Sequence, residues 1–324
     1  MTLHATGDRA AEDDVYYAYR LILEREPDPS GLAAHCRQVA EGISVDRLVR
    51  GFVNSDEYRL RQTDEMRPTP VELGGYHVLV QLRDTDLARA VFNTHQYEEH
   101  VRAAVRESLQ EGDVALDVGA NVGVITLLAA SIVGNSGRVI AVEPNPDNLQ
   151  LLYRGIVYNR FTNIEVLPYA ASNQRNFFSL TGGRSNTHLI RARAPEEGGF
   201  FVQSVVLDEL LGDLVRVNFV KMDIEGHEPQ AMAGFARVIE KHRPVFLVEF
   251  NPRCLHIQQN DPLAFLQQIF ASYPRVRVLT ALGDDETLDS AEKVMSYWQR
   301  RAREVRAENL LPEGLLHFDL LTLI

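Results

Sequence analysis

With 324 residues, 45% of them hydrophobic and 24% charged, the chain can build one large or two smaller domains with real cores. Its formal net charge of −12 repels nucleic acid phosphates and argues against such a partner. No apolar run is long enough to span a bilayer, and the first residues lack the basic and apolar regions of a signal peptide. Cys36 and Cys254 lie far apart with no metal-type spacing, so reduced thiols in a cytoplasmic protein are the expectation.

In chain order, 1–14 is polar and reads as a disordered tail. Residues 15–62 read as a compact helical domain. Val15, Tyr16, Tyr19 and Ile22 recur at helical spacing, Pro27-Asp-Pro-Ser-Gly31 stops that helix, and Asp28 or Ser30 can cap the next. Leu48, Val49, Phe52 and Val53 mark a third helix. A proline-bearing stretch, 63–75, reads as a linker, and 76–324 as the second domain. Tyr76–Leu82 reads as an edge strand, and Asp86–Phe92 and Tyr97–Leu109 as helices. From Asp113 short apolar strands alternate with helices, the pattern of a parallel doubly wound sheet. The strands expected are Val114–Val118, Arg138–Val142, Ile164–Leu167, Val217–Met222 and Pro244–Phe250. Val276–Thr280 and Leu316–Ile324 would close the sheet. Glu228–Glu240 reads as one helix. Residues 173–205 interrupt the alternation with a polar excursion holding Arg184, Ser185, Asn186 and His188. Those four either contact a substrate or sit on an exposed hairpin.

The informative stretch is Asp117-Val-Gly119-Ala-Asn121-Val-Gly123, followed by Glu143-Pro144-Asn145. Asp117 ends the first core strand, where a carboxylate can meet a cationic ligand. Glu143 stands 20 residues after Gly123, about the spacing at which a second-strand acid reaches ribose hydroxyls. The dinucleotide fingerprint G-x-G-x-x-G is not met. Asn121 and Val124 occupy its second and third glycine positions, where a side chain crowds a pyrophosphate. S-adenosylmethionine, with an ammonium, a ribose and no phosphate, fits better.

These residues, together with Val220-Lys-Met-Asp-Ile-Glu-Gly-His-Glu228, resemble the FkbM family of S-adenosylmethionine-dependent methyltransferases from about Tyr76 onward. The resemblance implies a class I methyltransferase fold, Rossmann-like with a seven-stranded, mostly parallel sheet, behind a small N-terminal all-α domain. It also implies O-methylation of sugars or natural products, with a small-molecule or glycan partner. Asp117, Gly119, Asn121, Gly123, Glu143, Pro144, Asn145 and Asp223 would hold the cofactor, with Ala171 and Ser172 against adenine. The helical stretch resembles the DUF4214 domain, which often accompanies glycan-modifying proteins. It departs from that pattern at Ala34-His35-Cys36, where an aromatic is expected. It reads first as a packing or homo-oligomerisation module.

For the chemistry, His227 has the pKa of a general base near neutrality, with Asp223 and Glu225 as the other candidates; a hydrogen-bonded structural histidine is the alternative. Glu228 is explained by its place at a helix start. Tyr97 reads as a lid over the site or as helix packing. A divalent metal among Asp223, Glu225, His227, Glu228 and Glu249 is possible but not favoured. The competing class is a non-catalytic scaffold that only binds cofactor.

Overall fold

The computed structural model describes residues 9–23, 25–58, 67–84, 87–182, 187–191, 200–283, 285–308 and 316–323. The chain divides into two compact units, 1–68 with 81–83 and 69–80 with 84–324.

The first unit holds three helices, Glu12–Ile22, Pro29–Ala40 and Val45–Val53. The first begins inside the stretch expected as tail, because Asp14 accepts the Ala11 amide at 2.7 Å and closes the first turn. Residues 1–8 lie outside the described residues. Asp28 caps the second helix through Gly31 N at 2.8 Å, and Ser44 caps the third through Arg47 N at 3.2 Å. Val15, Tyr19, Leu48 and Phe52 form the core. His35 stacks on Phe52 at 4.5 Å and meets Tyr19 edge-on at 5.7 Å, so an imidazole fills the position where an aromatic was expected.

In the second unit the strands in chain order are β1 (Thr69–Glu72), β2 (His77–Val80), β3 (Val114–Val118), β4 (Arg138–Val142), β5 (Ile164–Leu167), β6 (Ala170–Ala171) and β7 (Phe177–Gly182). Then come β8 (Thr187–Arg191), β9 (Phe200–Val205), β10 (Phe219–Met222), β11 (Val245–Phe250), β12 (Arg275–Leu279), β13 (Glu286–Leu288) and β14 (Phe318–Leu323). The main sheet has the order β13-β12-β14-β11-β10-β3-β4-β5. Strands β5, β4, β3, β10 and β11 run parallel, and β14 enters antiparallel between β11 and β12. Eight strands stand where seven were expected, because β13 adds an edge against β12. The sequence reading also missed the 18-residue helix Ala291–Glu308, which separates the two closing strands. Its apolar positions are few (Ala291, Val294, Tyr297 and Val305 are the buried ones) and a long charged face masks them.

Three further differences have local causes. The stretch read as linker carries β1, which pairs antiparallel with β2 rather than leaving β2 to edge the main sheet. The helix expected over 228–240 is two, Glu228–Ala233 and Ala236–His242. The second has its own cap: the Asp208 carboxylate accepts Arg237 N and Val238 N, both at 3.0 Å. The excursion after β5 folds as a second sheet, β6-β9-β7-β8, whose Phe178, Leu180, Leu189 and Val202 form a small core of their own with Ala170.

Candidate active site

The parallel strands β3, β4 and β10 end on one edge, and their acids meet there, as expected of an open α/β sheet. Asp117 is 2% exposed. Thr126 Oγ1 donates to its Oδ2 at 2.6 Å, while its buried Oδ1 accepts no hydrogen bond among the described residues. Lys221 stands in register with Asp117 on the neighbouring strand. Its ammonium lies 3.9 Å from Asp117 Oδ1 and 3.2 Å from Asp223 Oδ2, and donates to Gly119 O at 3.2 Å. Burial works against the Lys221 charge, but Asp223, Asp117 and Glu98 outweigh it. Burial likewise raises the Asp117 carboxyl, with Lys221 and the Thr126 bond opposing.

Glu143, at the tip of β4, accepts Asn121 N and Asn145 N, each at 2.8 Å. Burial still pushes its carboxyl up to about 7. Asn121 reaches Glu143 by taking the left-handed backbone (φ 51°), which asparagine tolerates better than most residues. Gly119 (φ 84°) is required for packing: a Cβ there would lie 1.8 Å from the Asp223 carbonyl oxygen. The glycine thus lets the tip of β3 pack against the backbone that follows β10.

The loop after β10 is held by Glu228. Its Oε1 accepts Ile224 N at 2.8 Å and Gly226 N at 3.2 Å, and burial first raises its carboxyl to about 8. Glu225 adopts a left-handed conformation (φ 57°) and Gly226 follows at φ 93°, where a Cβ would meet the Cys254 carbonyl at 2.3 Å. This reversal sends Glu225 and His227 to opposite sides. Glu225 accepts from Cys254 Sγ at 3.3 Å and lines the cavity. His227 turns away: its Nε2 lies 3.0 Å from Ser172 Oγ, Phe178 packs edge-on at 5.5 Å, and burial holds its pKa down at about 4. His227 is therefore not on the cavity wall, and its geometry is that of the structural histidine.

The cavity encloses about 590 Å³. Asp117, Gly119, Asn121, Glu143, Pro144, Ala171, Asp223, Glu225 and Tyr97 line it; Gly123, Asn145, Ser172 and His227 do not. Asn145 serves from behind, through its amide on Glu143 and its Oδ1 on Asp147 N. Arg184, Ser185 and Asn186 lie outside the described residues, and His188 is described only as backbone of β8.

Among the wall residues not picked from sequence are Lys221, Asp319 and Glu98. Lys221 interrupts an apolar strand, and a buried charge opposite an acid was the available signal. Asp319, on β14, pairs with His100 at 3.0 Å. Glu98, beside Tyr97, takes a left-handed backbone (φ 41°), and burial with the Asp319 and Asp223 charges lifts its carboxyl to about 7. Tyr97 hydrogen-bonds to Glu98, and burial raises its hydroxyl well above the usual range. Oxygens of Asp223, Glu228 and Glu249 lie within 4.8 Å of one another and could hold a divalent cation. Glu249 Oε2 accepts no hydrogen bond among the described residues, yet Lys221 already sets a positive charge 3.2 Å from Asp223.

The titrations make a prediction. Glu143, Glu98 and Glu228 have folded pKa values of about 7, 7 and 8, above their ordinary 4.5, so each favours the folded state least once pH exceeds its folded value. His227, held at about 4 against 6.5, disfavours folding as pH falls through that window. Between these windows the three acids outweigh the one histidine, so the ligand-free melting temperature is expected to fall from about pH 5 towards pH 8. A differential scanning fluorimetry series that rises steadily from pH 6 to 8 contradicts this.

A Rossmann-like sheet closed by an inserted antiparallel strand, with acids at three adjoining strand tips around one cavity, defines a class I methyltransferase fold. Residues 117–276 match the family described as methyltransferase FkbM domain, and residues 4–61 match DUF4214, a domain of unknown function. Residues 117–276 are thus an FkbM methyltransferase domain. It is similar to the hexuronic acid methyltransferase AglP of Haloferax volcanii, 26% identical over 178 residues that cover 53% of this chain and 70% of that protein. A solved FkbM methyltransferase of Methylobacillus flagellatus KT is 18% identical at TM-score 0.38, over 81% of this chain and 54% of the other, so this chain spans about half its length. An O-methyltransferase of Bacillus cereus solved in complex with SAH is 14% identical at TM-score 0.38, over 73% and 86% of the two chains. Likeness at that level bears on neither acceptor nor mechanism. No described helix is long and apolar enough to cross a membrane.

Proposed function

We propose that the chain transfers a methyl group from S-adenosylmethionine to a hydroxyl of a sugar, glycan or glycosylated natural product. The observation that carries this reading is the pair of buried carboxylates, Asp117 and Glu143, at adjacent parallel strand tips on one cavity. Asp117 Oδ1, buried and without a hydrogen bond among the described residues, suits an ammonium group. Glu143, already fixed by two amides, keeps acceptor capacity for a ribose diol. A pyrophosphate would instead face two carboxylates.

When bound, the cofactor supplies an electrophilic methyl on a sulfonium, with a neutral thioether as leaving group. The chain must then orient an acceptor hydroxyl and take its proton. Asp223, Glu225 and Glu98 line the same cavity. Glu98, at about 7, has the value best matched to receiving a proton near neutrality. Tyr97 beside it donates a hydrogen bond that steadies the carboxylate. Asp223 and Glu225 accept from the acceptor's hydroxyls and orient the ring. His227 positions Ser172, and with it the Ala170–Ala171 segment, instead of taking the proton. The sugar class draws support from the relative AglP, named for hexuronic acid.

The test is methyl transfer from labelled S-adenosylmethionine to sugar acceptors; no transfer to any glycan would remove the reading. Glu143→Ala should weaken cofactor binding about 10–100-fold with the fold intact, the range for charged hydrogen bonds lost. Wild-type affinity by calorimetry would take Glu143 out of that role.

A further inference from the structure

The cavity is also lined by the helix Pro252–Ile257, through Arg253, Cys254 and Ile257, and by Leu180 and Leu189 of the second sheet. This rim is built rather than incidental. Asn251 caps the helix through Cys254 N at 3.3 Å, and Gln258 Nε2 donates to Leu189 O at 2.9 Å, tying helix to sheet. Seven carboxylates line the cavity: Glu98, Asp117, Glu143, Asp223, Glu225, Glu249 and Asp319. Against them stand two side chains with a fixed positive charge, Lys221 and Arg253. Lys221 is engaged by Asp117, Asp223 and Gly119 O. Arg253 is exposed on the rim, and among the described residues no hydrogen bond or ion pair holds its guanidinium.

We infer that Arg253 is a specificity-determining residue that receives the carboxylate of an acidic sugar, so that the acceptor is a uronate rather than a neutral hexose. The inference deepens the sugar-methylating reading above and rests on it. A neutral ring needs no cation at the entrance. An anionic one is repelled by the acids of the cavity, and since Lys221 is already engaged, Arg253 is the counter-charge that stands open to it among the described residues. A guanidinium presents two parallel N–H donors that match a carboxylate's two oxygens, so it fixes orientation as well as charge. With the carboxylate held there, the ring's hydroxyls are left to the acids of the cavity. Arg253 takes no part in the bond changes.

The test is calorimetric titration of the full chain saturated with S-adenosylhomocysteine, using methyl glucuronoside, methyl glucoside and glucose 1-phosphate. The glucuronoside is expected to bind about tenfold or more tighter than the glucoside. Arg253→Ala should erase that gap without changing S-adenosylhomocysteine affinity, and Arg253→Lys should restore part of it. Equal affinity for the two sugars, failure of both to bind, or a gap that survives in Arg253→Ala overturns the inference. So does tighter, Arg253-dependent binding of glucose 1-phosphate, which would assign the rim to phosphate. Uronate binding without any methyl transfer would sustain this inference while removing the reading of the reaction.

Discussion

Glu98→Gln is expected to lower kcat by about 10²–10⁴-fold, the usual contribution of a positioned base, while leaving S-adenosylmethionine affinity unchanged. The amide keeps the size and one hydrogen-bond acceptor of the carboxyl but cannot take a proton. Glu98 is set for that task from two sides. Burial and the charges of Asp319 and Asp223 hold its carboxyl at about 7, so near neutrality it is about half ionised and a base of adequate strength. Its left-handed backbone, φ 41°, costs energy that a glycine there would avoid, and non-glycine residues held in such conformations cluster at functional sites. The pH profile separates a proton acceptor from a merely structural residue. In the wild type kcat/KM should rise with pH through about 7 as Glu98 deprotonates, and in Glu98→Gln that rise should vanish along with the rate. A variant that loses rate but keeps the wild-type limb assigns the proton to another group, with Asp223 and Glu225 next in line.

The sequence carried the scaffold further than the chemistry, for reasons visible at single residues. Asp117, Glu143 and Asp223 were legible because each closes an apolar strand of a βαβ pattern, and strand tips of a parallel sheet share one edge. For His227 the sequence left base and structural histidine both open, because adjacency in sequence does not fix side-chain direction across a turn; in the structure it stands off the cavity wall, beside Ser172. With Glu225 left-handed and Gly226 at φ 93°, two residues of one motif end on opposite sides of the loop. Glu98 gave no signal because it stands outside the alternating pattern, and only the fold carries it to Asp223 and Asp319. Gly119, expected to hold the cofactor, lines the cavity and also admits the Asp223 carbonyl. The missed helix Ala291–Glu308 has too few buried positions for its period to stand out.

The second large effect concerns stability. Lys221→Met should destabilise the fold by about 3–5 kcal/mol, the range for removing one partner of a buried ion pair. The lysine side chain is 8% exposed and stands between Asp117 and Asp223 at 3.9 and 3.2 Å. Methionine fills much of the space with a flexible apolar chain, so the loss comes from uncompensated charge more than from an empty volume. The pH dependence tests that attribution. Burial already raises the Asp117 carboxyl in the folded protein, and the Lys221 charge opposes the rise most. Without the lysine the folded value climbs further above the unfolded one. Folding then favours the protonated acid, and stability is lost as pH rises through that higher value. The gap in melting temperature between wild type and Lys221→Met should therefore be small near pH 5 and widen towards pH 8. A gap of constant size across that range would locate the effect in packing, and Lys221 would then be a spacer in the sheet rather than the charge that allows two acids to share one edge of it.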